Sequence, residues 1–332
     1  MLGLVGWTVV LLLRAASPDA LTLEDARATA VKKNTMLQIA RQHVKAAEAG
    51  RLQTGGGFLP SIRLSQGWTR SSDAVNAFGF RLKQEQFTAA DFDVARLNEP
   101  GAITNFQTKL AVQQPVYNGG SSISRRRQAT EGVRAAEASL EHAMNNVRYQ
   151  TARAYWGQVL AYEALQAVRD GLETARSHAR VAEALYREQT IPLSDLLAAR
   201  VRVAELEEEA ITAESRVATA GEALTLVMGL EADASPRPTD SLVVHSVQQD
   251  VATLVSEALQ GRPDLKAADH QARAARRGSA AARGNLIPHL NAFFEAGLDS
   301  DELFQRSGES WTAGALLTWD LFSGGRTIGG VR

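Results

Sequence analysis

The sequence predicts a mixed α and β fold: a long antiparallel α-helical coiled-coil hairpin, four β-strands and an internal duplication. Three observations predict it. Residues 121–189 hold no proline and keep small and apolar side chains three and four apart. Four shorter segments alternate apolar and polar side chains with period two. A series of landmarks recurs further along the chain at fixed offsets.

Composition narrows the classes. The 332-residue chain carries 36 basic and 37 acidic residues, without the basic surplus of a nucleic-acid protein. Beyond residue 13 no apolar run is long enough to cross a bilayer as a helix. There is no cysteine, which excludes disulfides, thiolate metal sites, a cysteine nucleophile and a lipid anchor on an N-terminal cysteine. Leu2 to Leu13 is almost wholly apolar and is followed by Arg14-Ala15-Ala16-Ser17-Pro18-Asp19-Ala20. Such a core ahead of small residues predicts a signal peptide over 1–20, and hence export.

The duplication organises the rest. Asn34-x-x-Leu37-x-x-Ala40 matches Arg262-x-x-Leu265-x-x-Ala268 at an offset of 228. Ala46-Ala47 then falls on Ala274-Ala275, and Phe58-Leu59-Pro60 on Leu286-Ile287-Pro288. Gln114 to Gly120 matches Trp319 to Gly325 at an offset of 205, so the first copy carries 23 extra residues between these landmarks. Each copy reads helix, strand, loop, strand, Gly-Gly, helix. In the first copy a helical hairpin follows over 119–230; in the second only Arg326 to Arg332 follow. The expectation is a C-terminally truncated chain whose second hairpin is missing.

The elements follow in order. A helix is expected over 21–57. In the hairpin's first arm the seam runs through Val133, Ala136, Leu140, Ala143, Val147, Ala154, Ala161, Leu165, Val168 and Leu172, with Gln150, Gly157 and Gln158 as weak points. Such a heptad keeps one face toward a partner helix, and 69 residues at 1.5 Å each reach about 100 Å. The second arm steps through Leu196, Ala199, Val203, Leu206, Ala210, Ala213, Val217, Ala220 and Leu224. Between the arms, Pro192 stops one helix and opens the next, and Ser194 or Thr190 is expected to cap it. Residues 231–261 form a linker with a short strand or turn and a short helix. A helix follows over 262–285, with Pro263 in its first turn.

The strand pairs occupy 58–118 and 286–323. In the clearest strand, Trp311 to Phe322, one face carries Trp311, Ala313, Ala315, Leu317, Trp319 and Leu321. Its counterpart sets Phe106, Thr108, Leu110 and Val112 against Gln107, Lys109, Ala111 and Gln113. Leu290 to Leu298 opposes His289 to Gly297, and Ile62, Leu64 and Trp68 oppose Ser61, Arg63, Ser65 and Thr69. This is the pattern of a membrane β-barrel, with Trp68, Phe106, Trp311 and Trp319 as membrane-interface aromatics. A soluble sheet with one buried face alternates identically. Four strands cannot close a barrel, and an open edge in lipid leaves backbone groups unsatisfied. Pairing between protomers resolves this, three copies giving a trimeric twelve-stranded transmembrane barrel.

Taken together, the duplicated unit, Arg262-Pro263-Asp264-Leu265, the two Gly-Gly strand ends and Ala154-Tyr155-Trp156 resemble the TolC-like outer membrane efflux protein family, the outer membrane factors of tripartite efflux or type I secretion systems. The resemblance covers nearly everything after residue 20. It implies a homotrimer in outer-membrane lipid whose helices, including 21–57, cross the periplasm, and an equatorial region over 231–261. It implies passive export, powered by an inner-membrane pump through a periplasmic adaptor (a membrane fusion protein). The hairpin tip, Glu188, Gln189, Thr190, Ile191, Pro192, Leu193, Ser194 and Asp195, would dock the adaptor, and Phe80 to Pro100 would lie in an extracellular loop. Residues 324–332 would begin the second hairpin. No gate residue is carried over, since the family's gate draws on that hairpin. A periplasmic coiled-coil protein of structural or adaptor-like kind, or a non-functional remnant, is the alternative.

No enzyme, cofactor or metal site is expected. The six histidines are scattered, no serine sits in a nucleophile motif, and the Gly pairs lack the Lys-Ser/Thr context of a phosphate loop. Glu205 to Glu209 reads as a solvated face. Arg125-Arg126-Arg127 reads as a solvated helix start, or as a contact for phosphate or lipopolysaccharide groups near the inner leaflet.

Overall fold

The computed structural model describes residues 21–234, 236–243, 249–303, 305 and 308–331, so the expected signal peptide lies outside the described residues. Along the chain run α1 (Leu23–Lys33), α2 (Thr35–Gln53), β1 (Ser61–Ser71), α3 (Ala74–Lys83), α4 (Val94–Asn98), β2 (Ile103–Tyr117), α5 (Ser121–Arg187), α6 (Leu193–Met228), α7 (Val251–Gly261), α8 (Pro263–Gly284), β3 (His289–Ser300), β4 (Gly308–Thr318) and α9 (Arg326–Val331). They divide into two units: residues up to Gln42 with Ala138–Asp264, and His43–Glu137 with Leu265–Arg332.

The duplication is built into the backbone. Helices α1 and α7 have 11 residues each and start 228 positions apart. They close alike: the Asn34 N–H donates to Ala30 O at 2.8 Å, and the Arg262 N–H to Ala258 O at 2.9 Å. Strands β1 and β3 also begin 228 apart. At the second offset, Gly119 and Gly120 (φ 63° and 76°) repeat as Gly324 and Gly325 (φ 61° and 81°). Both pairs turn a strand into a helix through left-handed backbone, which glycine adopts without a Cβ penalty. The extra residues of the first copy fall in the β1–β2 connection. The sequence reads a loop there; the structure folds it into α3, a 3₁₀ turn at Ala89–Phe92 and α4. Local caps account for this. Asp73 accepts from the Asn76 N–H at 2.9 Å, and Thr88 and Asp91 form a reciprocal capping box.

In the first unit, the single helix expected over 21–57 is instead two. Asn34 breaks it because its side chain serves both sides. Its Oδ1 accepts from the Met36 N–H at 2.9 Å, starting α2, and its Nδ2 donates to Val227 O at 2.8 Å. The core gathers Ala26 and Ala30, Leu37, then Val147, Tyr155 and Val159 of α5 with Leu224 and Met228 of α6. Farther along the hairpin, Leu172 meets Leu206 and Ala210, flanked by Val168, Ala175 and Val203. On α6 the buried Leu196, Leu206, Ala210, Ala213 and Leu224 follow the expected seam. On α5 the seam drifts: Thr151, Tyr155, Gln158 and Val159 are buried, whereas Ala154 and Ala161 are half-buried. The reason is that this stretch also packs against α1 and the linker, and Gln158 Nε2 donates to Pro236 O at 3.0 Å. A weak point of the coiled-coil pattern is thus a tether. Neither Ser194 nor Thr190 caps α6; Pro192 holds that position with no side-chain hydrogen bond. Its fixed φ and missing N–H suit a helix start without one.

In the second unit the four strands pair in the order β1-β2-β3-β4, all antiparallel, which leaves β1 and β4 as edges. Strand β4 ends at Thr318 rather than Phe322, because its partner Thr318↔His289 is the first residue of β3 and nothing remains to pair beyond it.

Candidate functional site

The register aligns the apolar faces that alternation predicts. One row joins Ile62, Val112, Phe294 and Ala313; the next joins Leu64, Leu110, Ala296 and Trp311. Phe294 and Trp311 stack with ring centroids 6.5 Å apart. The opposite face carries Arg63 and Ser65, the Lys109–Glu295 ion pair at 2.7 Å, and Gln107 beside Asp299. A soluble sheet of this pattern buries its apolar face. Here Leu64 is 71% exposed, Trp68 65% and Trp311 73%. A contiguous apolar patch of this kind marks a membrane or protein contact.

The aromatics spread along the sheet. Trp68 pairs with Phe106 near the end of the sheet that carries the β1–β2 connection, whereas Trp311 lies four rows further in, in the row of Leu64 and Leu110. Trp319 lies just past the other end of β4, where its indole N–H donates to Leu286 O at 3.1 Å, and the exposed Tyr117 closes β2 at that end.

On the polar face, α3 packs against β2, β3 and β4. Gln84 Nε2 donates to Asn105 Oδ1 at 2.8 Å, and Asn105 Nδ2 donates to Asp299 Oδ1 at 2.6 Å. Gln84, Asn105 and Asp299 are all buried. The sequence reading missed this cluster. Asn105 and Asp299 do occupy polar-face positions of their strands, but only pairing shows that they meet.

The hairpin turn matches the expected tip. Helix α5 closes with the Gln189 N–H donating to Tyr186 O and the Thr190 N–H to Leu185 O, both at 2.9 Å. Gln189 holds φ 59°, a left-handed angle usually left to glycine. Around it Glu188, Thr190, Pro192, Leu193, Ser194 and Asp195 are exposed, and Ile191 is half-buried. Gln189→Gly is expected to stabilise the chain by about 0.5–1 kcal/mol by removing that strain, a gain that a urea titration followed by circular dichroism would resolve.

Helices α5 and α8 meet through His270 Nδ1 and Glu131 Oε2, 2.7 Å apart. That bond, with lesser help from Arg134 and Arg273, holds the Glu131 carboxyl below its usual range. Nearer the sheet, Arg125, Arg126 and Arg127 are exposed, with the Arg126 guanidinium 6.0 Å from the Phe58 ring centroid. Among the described residues no His, Cys, Asp or Glu cluster could hold a metal ion.

A family model described as "Outer membrane efflux protein" matches residues 27–230 and 254–332. The solvent efflux pump outer membrane protein SrpC of Pseudomonas putida is 27% identical over 135 residues, 40% of this chain and 29% of that protein. Outer membrane protein OprJ of Pseudomonas aeruginosa is 33% identical over 108 residues, 31% of this chain and 22% of that protein. These matches span less than a third of the curated relatives' length. Among solved structures, the Campylobacter jejuni CmeC outer membrane channel superposes with a TM-score of 0.77 at 20% identity, over 93% of this chain and 63% of that one. The outer membrane protein VceC of Vibrio cholerae gives 0.72 at 20% identity, over 93% and 71%. The structural likeness carries the fold, and the model match carries the family: this chain belongs to the outer membrane efflux protein family.

Proposed function

We propose that the chain is a subunit of a trimeric outer-membrane export channel, a passive conduit for small molecules or secreted substrates that performs no catalysis. The observation that carries this reading is the four-stranded sheet whose apolar face is exposed and whose β1 and β4 edges are open. In lipid, open edges are tolerated only when paired, so three copies closing a twelve-stranded barrel satisfy both the edges and the apolar face. The polar face then lines the conduit. Trp68 and Phe106 sit at one membrane interface and Trp319 at the other, with Trp311 between them in the row of Leu64. The exposed turn Glu188–Asp195 is the surface offered to a periplasmic adaptor, through which an inner-membrane pump supplies the energy. Relatives named as outer-membrane components of efflux pumps support that partnership.

Neighbouring positions on opposite faces test it. An arginine on the lipid face near mid-membrane costs about 2–4 kcal/mol, whereas on the lumen face it changes selectivity instead. Leu64→Arg is therefore expected to cut insertion into liposomes sharply. Ser65→Arg should insert normally and shift the ion selectivity of the pore. A chain that stays monomeric and soluble without detergent, with Leu64→Arg unchanged from wild type, would point instead to a periplasmic coiled-coil protein.

A further inference from the structure

The charges at the junction of sheet and helices are one-sided. Ser121 to Thr130 of α5 holds Arg125, Arg126 and Arg127 and no acidic residue. Cations at a helix N-terminus oppose the macrodipole, and the first turn of α5 offers no carboxylate to offset them. Helix α8 runs antiparallel to this segment. His270 meets Glu131, Gly278 lies against Gln128, and Gly284 lies against Gly119. That pairing sets Arg283 near the Gly119–Gly120 turn and Arg276 and Arg277 near Gln128, on either side of Arg125–Arg127 along the junction, again with no acidic residue between Gln271 and Gly284. All six arginines are exposed, and none forms an ion pair among the described residues.

A second observation says what they face. The exposed aromatics at this end come immediately before the two Gly-Gly turns: Tyr117 is 52% exposed, Trp319 57% and Phe322 89%. An apolar band, then aromatic rings, then arginines is the order of groups met on leaving a bilayer, where guanidinium groups extend to head-group phosphates.

We propose that Arg125–Arg127 and Arg276, Arg277 and Arg283 form a basic collar that binds anionic phospholipid head groups of the leaflet on the helical side of the barrel. The collar rests on the membrane reading above, and it gives that reading a lipid preference. Guanidinium groups pair with phosphate oxygens in a fork that ammonium groups match only as point charges.

The test reconstitutes the full chain into phosphatidylcholine vesicles with and without phosphatidylglycerol. It scores insertion by flotation and protease protection, and counts co-purifying lipid by mass spectrometry. With each arginine worth about fivefold near an anionic surface, wild type is expected to enrich phosphatidylglycerol more than tenfold over phosphatidylcholine. R125Q/R126Q/R127Q should still insert but lose most of the enrichment, and R276Q/R277Q/R283Q should do the same independently should the first variant not fold. The corresponding lysine triples should keep a good part of it, and R202Q on the hairpin should keep all of it. Wild type that inserts without lipid preference, or glutamine triples as enriched as wild type, would overturn the collar while leaving the channel intact. A glutamine triple that shifts the pore's reversal potential but not its lipids would put these arginines in the conduit and overturn it too. Enrichment abolished by inorganic phosphate would assign a free-anion site instead. Wild type that inserts into neither vesicle would sink the membrane reading and the collar together.

Discussion

Tyr155→Ala is expected to destabilise the helical unit by about 3–5 kcal/mol, the cost of emptying a large aromatic site in a packed core. Tyr155 is fully buried, with Ala26, Ala30, Leu37, Leu224 and Met228 in the same cluster. Its hydroxyl ties three segments together. It lies 2.8 Å from Leu21 O and 2.9 Å from the Asp240 carboxylate, and accepts from the Thr239 and Asp240 N–H groups at 3.3 Å. Asp240 in turn accepts from the Leu23 N–H at 2.9 Å, so the start of α1 and the linker share one knot. Tyr155→Phe keeps the ring and strands those partners, for a smaller loss of about 1–3 kcal/mol. Burial pushes the phenol above its ordinary value of 10.0. A raised folded-state pKa means that the contribution is complete below pH 10 and is lost as pH rises through the raised value. Urea titrations of the two variants across that range measure all of this. Equal losses for alanine and phenylalanine would show that the knot, and not the ring, carries the stability.

Gly119→Ala is expected to do comparable damage at the junction of β2 and α5, whereas Gly120→Ala next to it does much less. Both residues have positive φ, 63° and 76°. That geometry alone costs a non-glycine residue about 1–3 kcal/mol. They differ in what a side chain would meet. A Cβ on Gly119 would sit 2.3 Å from Gly284 O, while one on Gly120 meets open space. The Gly284 carbonyl is backbone and cannot rotate aside, so α8 must move away from α5. The measurement is the thermal unfolding of the two variants in detergent. Similar midpoints would mean that the backbone angle dominates and the close approach is relaxed cheaply.

Much of the architecture is local in origin and was legible from residues alone. Helix α6 buries the positions its three-four spacing marks, since a helix face is fixed by sequence separation. The sheet rows follow from period two for the same reason. The Gly pairs announce left-handed turns because only glycine adopts them freely. The offset of 228 even extends upstream to α1 and α7, beyond the landmarks first matched.

At the candidate site the division is the same. The exposed tip at Glu188–Asp195 and the faces bearing Leu64 and Trp311 follow from local pattern. Apart from α3 and α4, which rest on local caps, what escaped the sequence depends on partners far along the chain. The break at Asn34 is fixed by Val227, and the end of β4 by where β3 begins. The burial of Gln158 needs Pro236, and the Gln84–Asn105–Asp299 cluster needs a folded β1–β2 connection laid on the polar face. By itself the sequence determined the long hairpin, the duplication and the two-faced strands, because backbone geometry converts residue spacing into faces. Only the tertiary structure decided where helices break, which polar residues are buried and which arginines gather at the junction of sheet and helices, because those depend on contacts that no local period encodes.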